Sequence, residues 1–171
     1  MTDLSIIIVT YNSARFIAKC LDSLLAHPVT RYEARIVVVD NASSDDTVSI
    51  VRESYPQVTL IESGGNLGFG RGNNLGMQRA PARYYYLHNA DAYLQENVLD
   101  AALDHMEATP RTGIAGLPLV YPDLSPQTAA YGRSAPLKWT LQELGVGKLA
   151  GAIASHPRLG PLRAVLRRVP V

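Results

Sequence analysis

Hydrophobic and polar positions along this chain alternate between short apolar runs and longer stretches with helical periodicity. Leu4 to Val9 reads as a continuously buried strand. The stretch from Ser13 to about Ala26 then sets Phe16, Ile17, Cys20, Leu21, Leu24 and Leu25 on one helical face. Asn12 or Ser13 can cap that helix. A second strand, Arg35 to Val39, leads through Ser43, read as an N-cap, into a helix that carries Val48, Ile50 and Val51 and stops before Pro56. Val58 to Ile61 reads as a third strand. The glycine-rich stretch from Glu62 to Met77 is irregular at first and reads as helix after Gly72. A fourth strand at Tyr84 to Leu87, a helix from about Asn97 to Ala108 and a fifth strand near Gly113 to Val120 complete the series. Repeated βαβ units imply an α/β fold with a doubly wound, mainly parallel sheet and right-handed crossovers.

Beyond Tyr121 the pattern breaks. Pro122, Pro126, Pro136, Pro157, Pro161 and Pro170 cut every candidate element short, so residues 1–120 read as one domain and 121–171 as a Pro/Gly-rich extension. Charge divides at nearly the same place. Through Asp123 there are 9 basic and 14 acidic residues, and from Leu124 onward 7 basic residues with Glu143 the only acid. Leu159, Leu162, Val165, Leu166 and Val169 lie at near-helical spacing beside Arg163, Arg167 and Arg168. That segment suits a surface helix resting on protein, with peripheral contact to anionic lipid as the alternative.

Composition narrows the function classes. A chain of 171 residues with 47% hydrophobic and 18% charged positions has room for one well-cored domain and is not disordered throughout. Its single cysteine, Cys20, excludes a disulfide framework and a cysteine-based zinc cluster and reads as a core thiol. No segment approaches membrane-spanning length and no signal-peptide pattern opens the chain, so a cytoplasmic protein is expected.

The chemistry concentrates at three strand ends. IVVVDNASSDDT ends an apolar run in Asp40 and Asn41, SIIIV ends in Thr10, Tyr11 and Asn12, and YYYLHNAD places Asn89 and Asp91 just past a strand. The carboxyl ends of strands are where open α/β sheets bind ligands, so one shared crevice is expected. Asp40 can accept from a nucleobase or ribose, and this role is favoured over helix capping because Ser43 is better placed to cap. Tyr11 can stack on a base or simply pack at the sheet edge. Gly68, Gly70 and Gly72 with Arg71 can bring backbone N–H groups and a cation to a diphosphate, unless turn geometry alone requires the glycines. The first strand-to-helix turn, TYNSA, has no glycine, which argues against a hydride-transferring dinucleotide enzyme. Asn89 and Asp91 suit Mg²⁺ or Mn²⁺, which take one or two protein ligands plus phosphate oxygens and water. His88 reads as a strand-end residue, and His27, His105 and His156 are too scattered for zinc.

Four stretches in order, SIIIVTYNS, IVVVDNASSDDT, GGNLGFGRGNNLGM and LHNAD, resemble the inverting family-2 glycosyltransferases with a GT-A fold, particularly the rhamnosyltransferase-like branch. The resemblance covers about Leu4 to Val120. It implies a Rossmann-like nucleotide-binding half in which Thr10, Tyr11 and Asp40 hold the nucleoside and the loop around Asn66, Arg71 and Asn74 lines the diphosphate and sugar. Asn12, Asn41, Gly68 and Asn89 would complete the nucleotide-sugar site, and Asp91 would be the metal-binding end of a DxD-like motif. Asn89 stands where the strict motif has Asp, which lowers the expected metal affinity. A UDP- or dTDP-sugar donor, a saccharide or lipid-linked acceptor and a place in polysaccharide biosynthesis follow from the resemblance, with no nucleic-acid partner. The expected location is cytoplasmic, with peripheral attachment to the inner face of the membrane as the alternative. Such enzymes use an acidic general base in an acceptor-binding half that nothing after Tyr121 resembles, leaving Asp123 and Glu143 as candidates. The chain is therefore expected to be the donor half alone, prone to self-association, with a non-catalytic nucleotide-sugar-binding module as the alternative.

Overall fold

The computed structural model describes residues 2–121 and 123–127. In chain order these form β1 (Leu4–Thr10), α1 (Ala14–Ala26), β2 (Ala34–Asp40), α2 (Thr47–Ser54), β3 (Thr59–Glu62), α3 (Phe69–Arg79), β4 (Tyr84–Asn89), α4 (Leu99–Ala108), β5 (Leu119–Val120) and β6 (Pro126–Gln127). The first four strands make a parallel sheet in the order β3-β2-β1-β4, with Ile7 of β1 in register with Val37 of β2 and Leu87 of β4. The chain divides into two compact units, 1–117 and 118–171, and the sheet belongs to the first.

Helices cover both faces because β1 and β2 are apolar on both sides, as the central strands of a doubly wound sheet must be. On one face Ile6, Ile8 and Val38 pack with Ile17, Cys20, Leu21 and Leu24 of α1, Val51 of α2 and Leu99 and Leu103 of α4. On the other, Ile7, Val37 and Val39 form a smaller cluster with Leu75 and Met77 of α3. The buried stripe of α1 is narrower than its sequence suggests, since Phe16 and Leu25 stay exposed.

Close packing of α3 explains two of its glycines. A Cβ at Gly76 would lie 2.6 Å from Ile7 Cγ2, and one at Gly72 would lie 2.9 Å from Val9 Cγ1. Four residues apart, these positions share one helical face, so the helix meets the sheet through a side-chain-free strip.

Three expectations are corrected. The Gly113 to Val120 run does not supply a fifth parallel strand. Only Leu119 and Val120 are strand, paired antiparallel with Pro126 and Gln127 in the second unit, and Ile114 is 91% exposed. Helix α3 begins at Phe69 rather than after Gly72, because Gly68 at φ 76° turns the loop directly into the first turn. Ser43 is not the cap of α2, whose N-cap position is Asp46. The basic amphipathic stretch and Glu143 lie outside the described residues. Among the described residues, no helix is long and apolar enough to cross a membrane.

Candidate functional site

At the carboxyl end of the sheet, β1 and β2 finish side by side, with Thr10 in register with Asp40. Asp40 is 2% exposed, and its carboxylate is engaged within the protein. It accepts from Thr10 Oγ1 at 3.1 Å, from Ser43 N at 2.9 Å and from Ser43 Oγ at 2.5 Å. The side chain read as a nucleoside acceptor therefore closes the β2–α2 loop onto β1. Asn41 is equally buried; its amide donates to the Gly68 carbonyl at 3.3 Å and ties this loop to the start of α3.

Asp45, which the sequence reading passed over, joins two helices. One carboxylate oxygen accepts from Ala14 N at 3.0 Å in the first turn of α1. The other accepts from Thr47 N at 3.1 Å and Thr47 Oγ1 at 2.5 Å in the first turn of α2. These bonds, led by the Thr47 hydroxyl, hold its carboxyl below the usual carboxylate range. Thr47 Oγ1 also accepts from Ser13 N at 2.8 Å, and Asn12 Oδ1 accepts from Ser44 N at 2.8 Å. The predicted Asn12 or Ser13 cap is thus replaced by groups more than thirty residues along the chain. Tyr11 remains 53% exposed beside this closed turn.

The start of α3 is open by comparison. Its cap position is Gly68, no side chain caps it, and its first turn holds no acid. Among the described residues the amides of Phe69, Gly70 and Arg71 have no acceptor outside the helix. Arg71 and Asn74 are exposed, and Phe69, also missed in the sequence, is 55% exposed. Asn66 is used by the loop itself, its Oδ1 accepting from Gly68 N at 3.0 Å. An uncapped helix start with an exposed cation is suited to an anion.

Strand β4 runs two residues further than predicted, so His88 and Asn89 lie within it and Asp91 sits in the turn that follows. Asp91 is exposed and its carboxylate has no hydrogen-bond partner among the described residues. Among those residues no group of three His, Cys, Asp or Glu side chains is arranged to hold a metal. The donor set fits a cation held jointly by Asp91, the Asn89 amide oxygen, phosphate oxygens and water, and does not fit a protein-only cage. Burial, with Asp91 nearby, pushes the Cys20 thiol up to about 12, as expected of a core thiol. A hollow of about 290 Å³ lined by Arg83, Tyr84, Met106 and Glu107 lies at the opposite end of β4.

In the second unit Asp123 accepts from Ser125 N at 3.0 Å and Ser125 Oγ at 2.6 Å. The hydroxyl bond above all holds its carboxyl below the usual range, which makes it a weak base.

The chain is 31% identical over 107 residues to poly(ribitol-phosphate) beta-N-acetylglucosaminyltransferase TarS of Staphylococcus aureus, covering 60% of this chain and 18% of that protein. It is 31% identical over 132 residues to N-acetylglucosaminyl-diphospho-decaprenol L-rhamnosyltransferase of Mycobacterium tuberculosis, covering 70% of this chain and 42% of the relative. It therefore spans less than half the length of these relatives. The crystal structure of S. aureus TarS 1-349 in complex with UDP matches with a TM-score of 0.56 and 26% identity, over 62% of this chain and 32% of that one. Mannosyltransferase PcManGT from Pyrobaculum calidifontis, in complex with GDP-Man and Mn²⁺, matches with a TM-score of 0.56 and 29% identity, over 62% and 34% of the two chains. The sheet is thus that of GT-A glycosyltransferases. The sequence profile of glycosyl transferase family 2 matches residues 5–166, well past Val120, and the chain belongs to that family.

Proposed function

We propose that this chain supplies the donor-binding part of a glycosyltransferase that moves a sugar, with inversion, from a UDP- or dTDP-sugar to a saccharide or lipid-linked acceptor in polysaccharide biosynthesis. One observation carries the reading. An uncapped helix start bearing Arg71 and a carboxylate, Asp91, without a partner among the described residues both stand at the carboxyl end of one parallel sheet. Between them they offer a diphosphate positive groups on one side and a cation ligand on the other.

In this reading Phe69 to Arg71 and Asn74 line the diphosphate and sugar, while Tyr11 and Asn12 border the nucleoside. Thr10, Asp40 and Asn41 form the buried floor that holds those groups in place. A bound Mg²⁺ or Mn²⁺ would be held by Asp91 with Asn89 and would supply Lewis-acid stabilisation to the departing diphosphate. Arg71 and the α3 amides stabilise the same developing charge from the protein side. The acceptor's proton requires a carboxylate other than the engaged Asp40, Asp45 and Asp123. The reading implies work at the cytoplasmic face of a membrane when the acceptor is lipid-linked.

Titration calorimetry with UDP and with dTDP, with and without Mn²⁺, tests the proposal. Mn²⁺ is expected to strengthen binding, and Asp91→Ala to abolish most of that gain while leaving metal-free affinity in place. Equal wild-type affinity with and without Mn²⁺ would remove the metal from the reading, and no binding of either nucleotide would remove the donor site.

A further inference from the structure

We propose that His88 is a positioning residue for the turn that presents Asp91, its ring holding the Ala92 carbonyl so that the neighbouring carboxylate is fixed at the strand end. The proposal rests on the reading of Asp91 as the cation-side carboxylate.

A buried imidazole needs partners for both nitrogens. His88 is 4% exposed, with Nδ1 3.0 Å from Tyr86 Oη and Nε2 3.1 Å from the Ala92 carbonyl oxygen. A carbonyl can only accept, so Nε2 carries the hydrogen, and in the neutral ring Nδ1 then accepts from the Tyr86 hydroxyl. Burial lowers the ring's pKa and favours that neutral form.

The turn after β4 has other ties besides His88. Ala92 N donates to the Asn89 carbonyl at 3.1 Å, and the Cys20 thiol lies 3.8 Å from the same carbonyl oxygen. Leu94 N donates to Ser23 Oγ at 3.1 Å, and the Lys19 ammonium stands 3.9 Å from the Tyr93 ring centre. Of these ties, His88 alone anchors the carbonyl of the residue following Asp91. The Asp91 carboxylate is exposed and has no side-chain partner among the described residues, so its position there is inherited from the turn's backbone. Groups that hydrogen-bond a metal ligand directly are worth roughly 10- to 100-fold in metal affinity at other sites, and a tie one residue removed from the ligand belongs at the lower end of that range.

The test compares His88→Leu, His88→Gln and Tyr86→Phe in the full chain by calorimetry of UDP with and without Mn²⁺ and by hydrogen exchange of the Ala92 amide. His88→Leu is expected to leave metal-free UDP binding intact, to lose about tenfold of the Mn²⁺-dependent gain and to speed exchange at Ala92. His88→Gln, which retains an amide donor, restores most of both, and Tyr86→Phe gives a smaller loss in the same direction. A His88→Leu protein with the full Mn²⁺ gain and unchanged exchange overturns the proposal. So does one that loses metal-free and metal-dependent binding in equal proportion, because that is general damage. Should wild type show no Mn²⁺ gain, the cation reading of Asp91 fails, and Ala92 exchange alone then decides whether His88 holds the turn.

Discussion

Helices α1 and α3 both begin at the carboxyl end of the sheet, and their first turns are opposite in chemistry. The start of α1 is closed by Asp45, which neutralises the positive ends of two helix dipoles with one carboxylate. The start of α3 has neither side-chain cap nor acid, and offers an exposed Arg71 instead. Where helix dipoles are already satisfied the structure builds a frame, and where one is left unsatisfied it leaves room for an anion. Of these two turns the second is glycine-rich, which leaves its backbone open to close approach.

The largest effect should come from disturbing the seat of α3. Gly76→Ala puts a methyl group 2.6 Å from Ile7 and 3.1 Å from Val39, both fully buried, and is expected to cost about 1–3 kcal/mol in denaturant unfolding. UDP affinity should fall with it, because the open first turn belongs to the displaced helix. Full stability in this variant would mean that the helix is not held as tightly as the contacts imply.

Removing the closed turn's carboxylate is the next test. Asp45→Ala should cost about 1–2 kcal/mol, the sum of two ordinary caps, with UDP affinity little changed. Its contribution also carries a pH signature. The folded pKa is depressed, so the stabilisation is present above the carboxylate's ordinary titration range and is lost as pH falls through the folded value. Wild type should therefore lose more stability than Asp45→Ala between about pH 5 and pH 3. Parallel acid unfolding curves would show that Asp45 caps neither helix.

How much of this was legible in the sequence differs between the two turns. The four parallel strands are continuous apolar runs, and burial on both faces makes such runs visible without any partner. The stretch ending at Val120 reads the same way but has no neighbouring strand in the sheet, which only tertiary structure reveals. The exposed carboxylate of Asp91 follows from its place just past a strand. The roles of Asp40, Ser43 and Asp45 do not, because four hydroxyl and acidic residues crowd Ser43 to Asp46 and their partners, Thr10 and Ala14, lie about thirty residues away. Local spacing points to Ser43 as the cap of α2, but Ser43 donates to Asp40 instead, and Asp45, two residues on, accepts from Thr47 N in the first turn of α2. In the glycine-rich loop the sequence reads as irregular up to Gly72, whereas the helix begins at Phe69, because Gly72 and Gly76 on one face of α3 serve its packing against the sheet.

Amide chemical shifts followed during titration of the ¹⁵N-labelled chain with UDP in the presence of diamagnetic Mg²⁺ test the contrast most directly. Phe69, Gly70 and Arg71 are expected to move furthest, together with Asp91, while Ala14 and Thr47 stay in place under Asp45. Large shifts at Ala14 and Thr47 with Phe69 to Arg71 unmoved would contradict it, and would put the anion at the turn described here as closed.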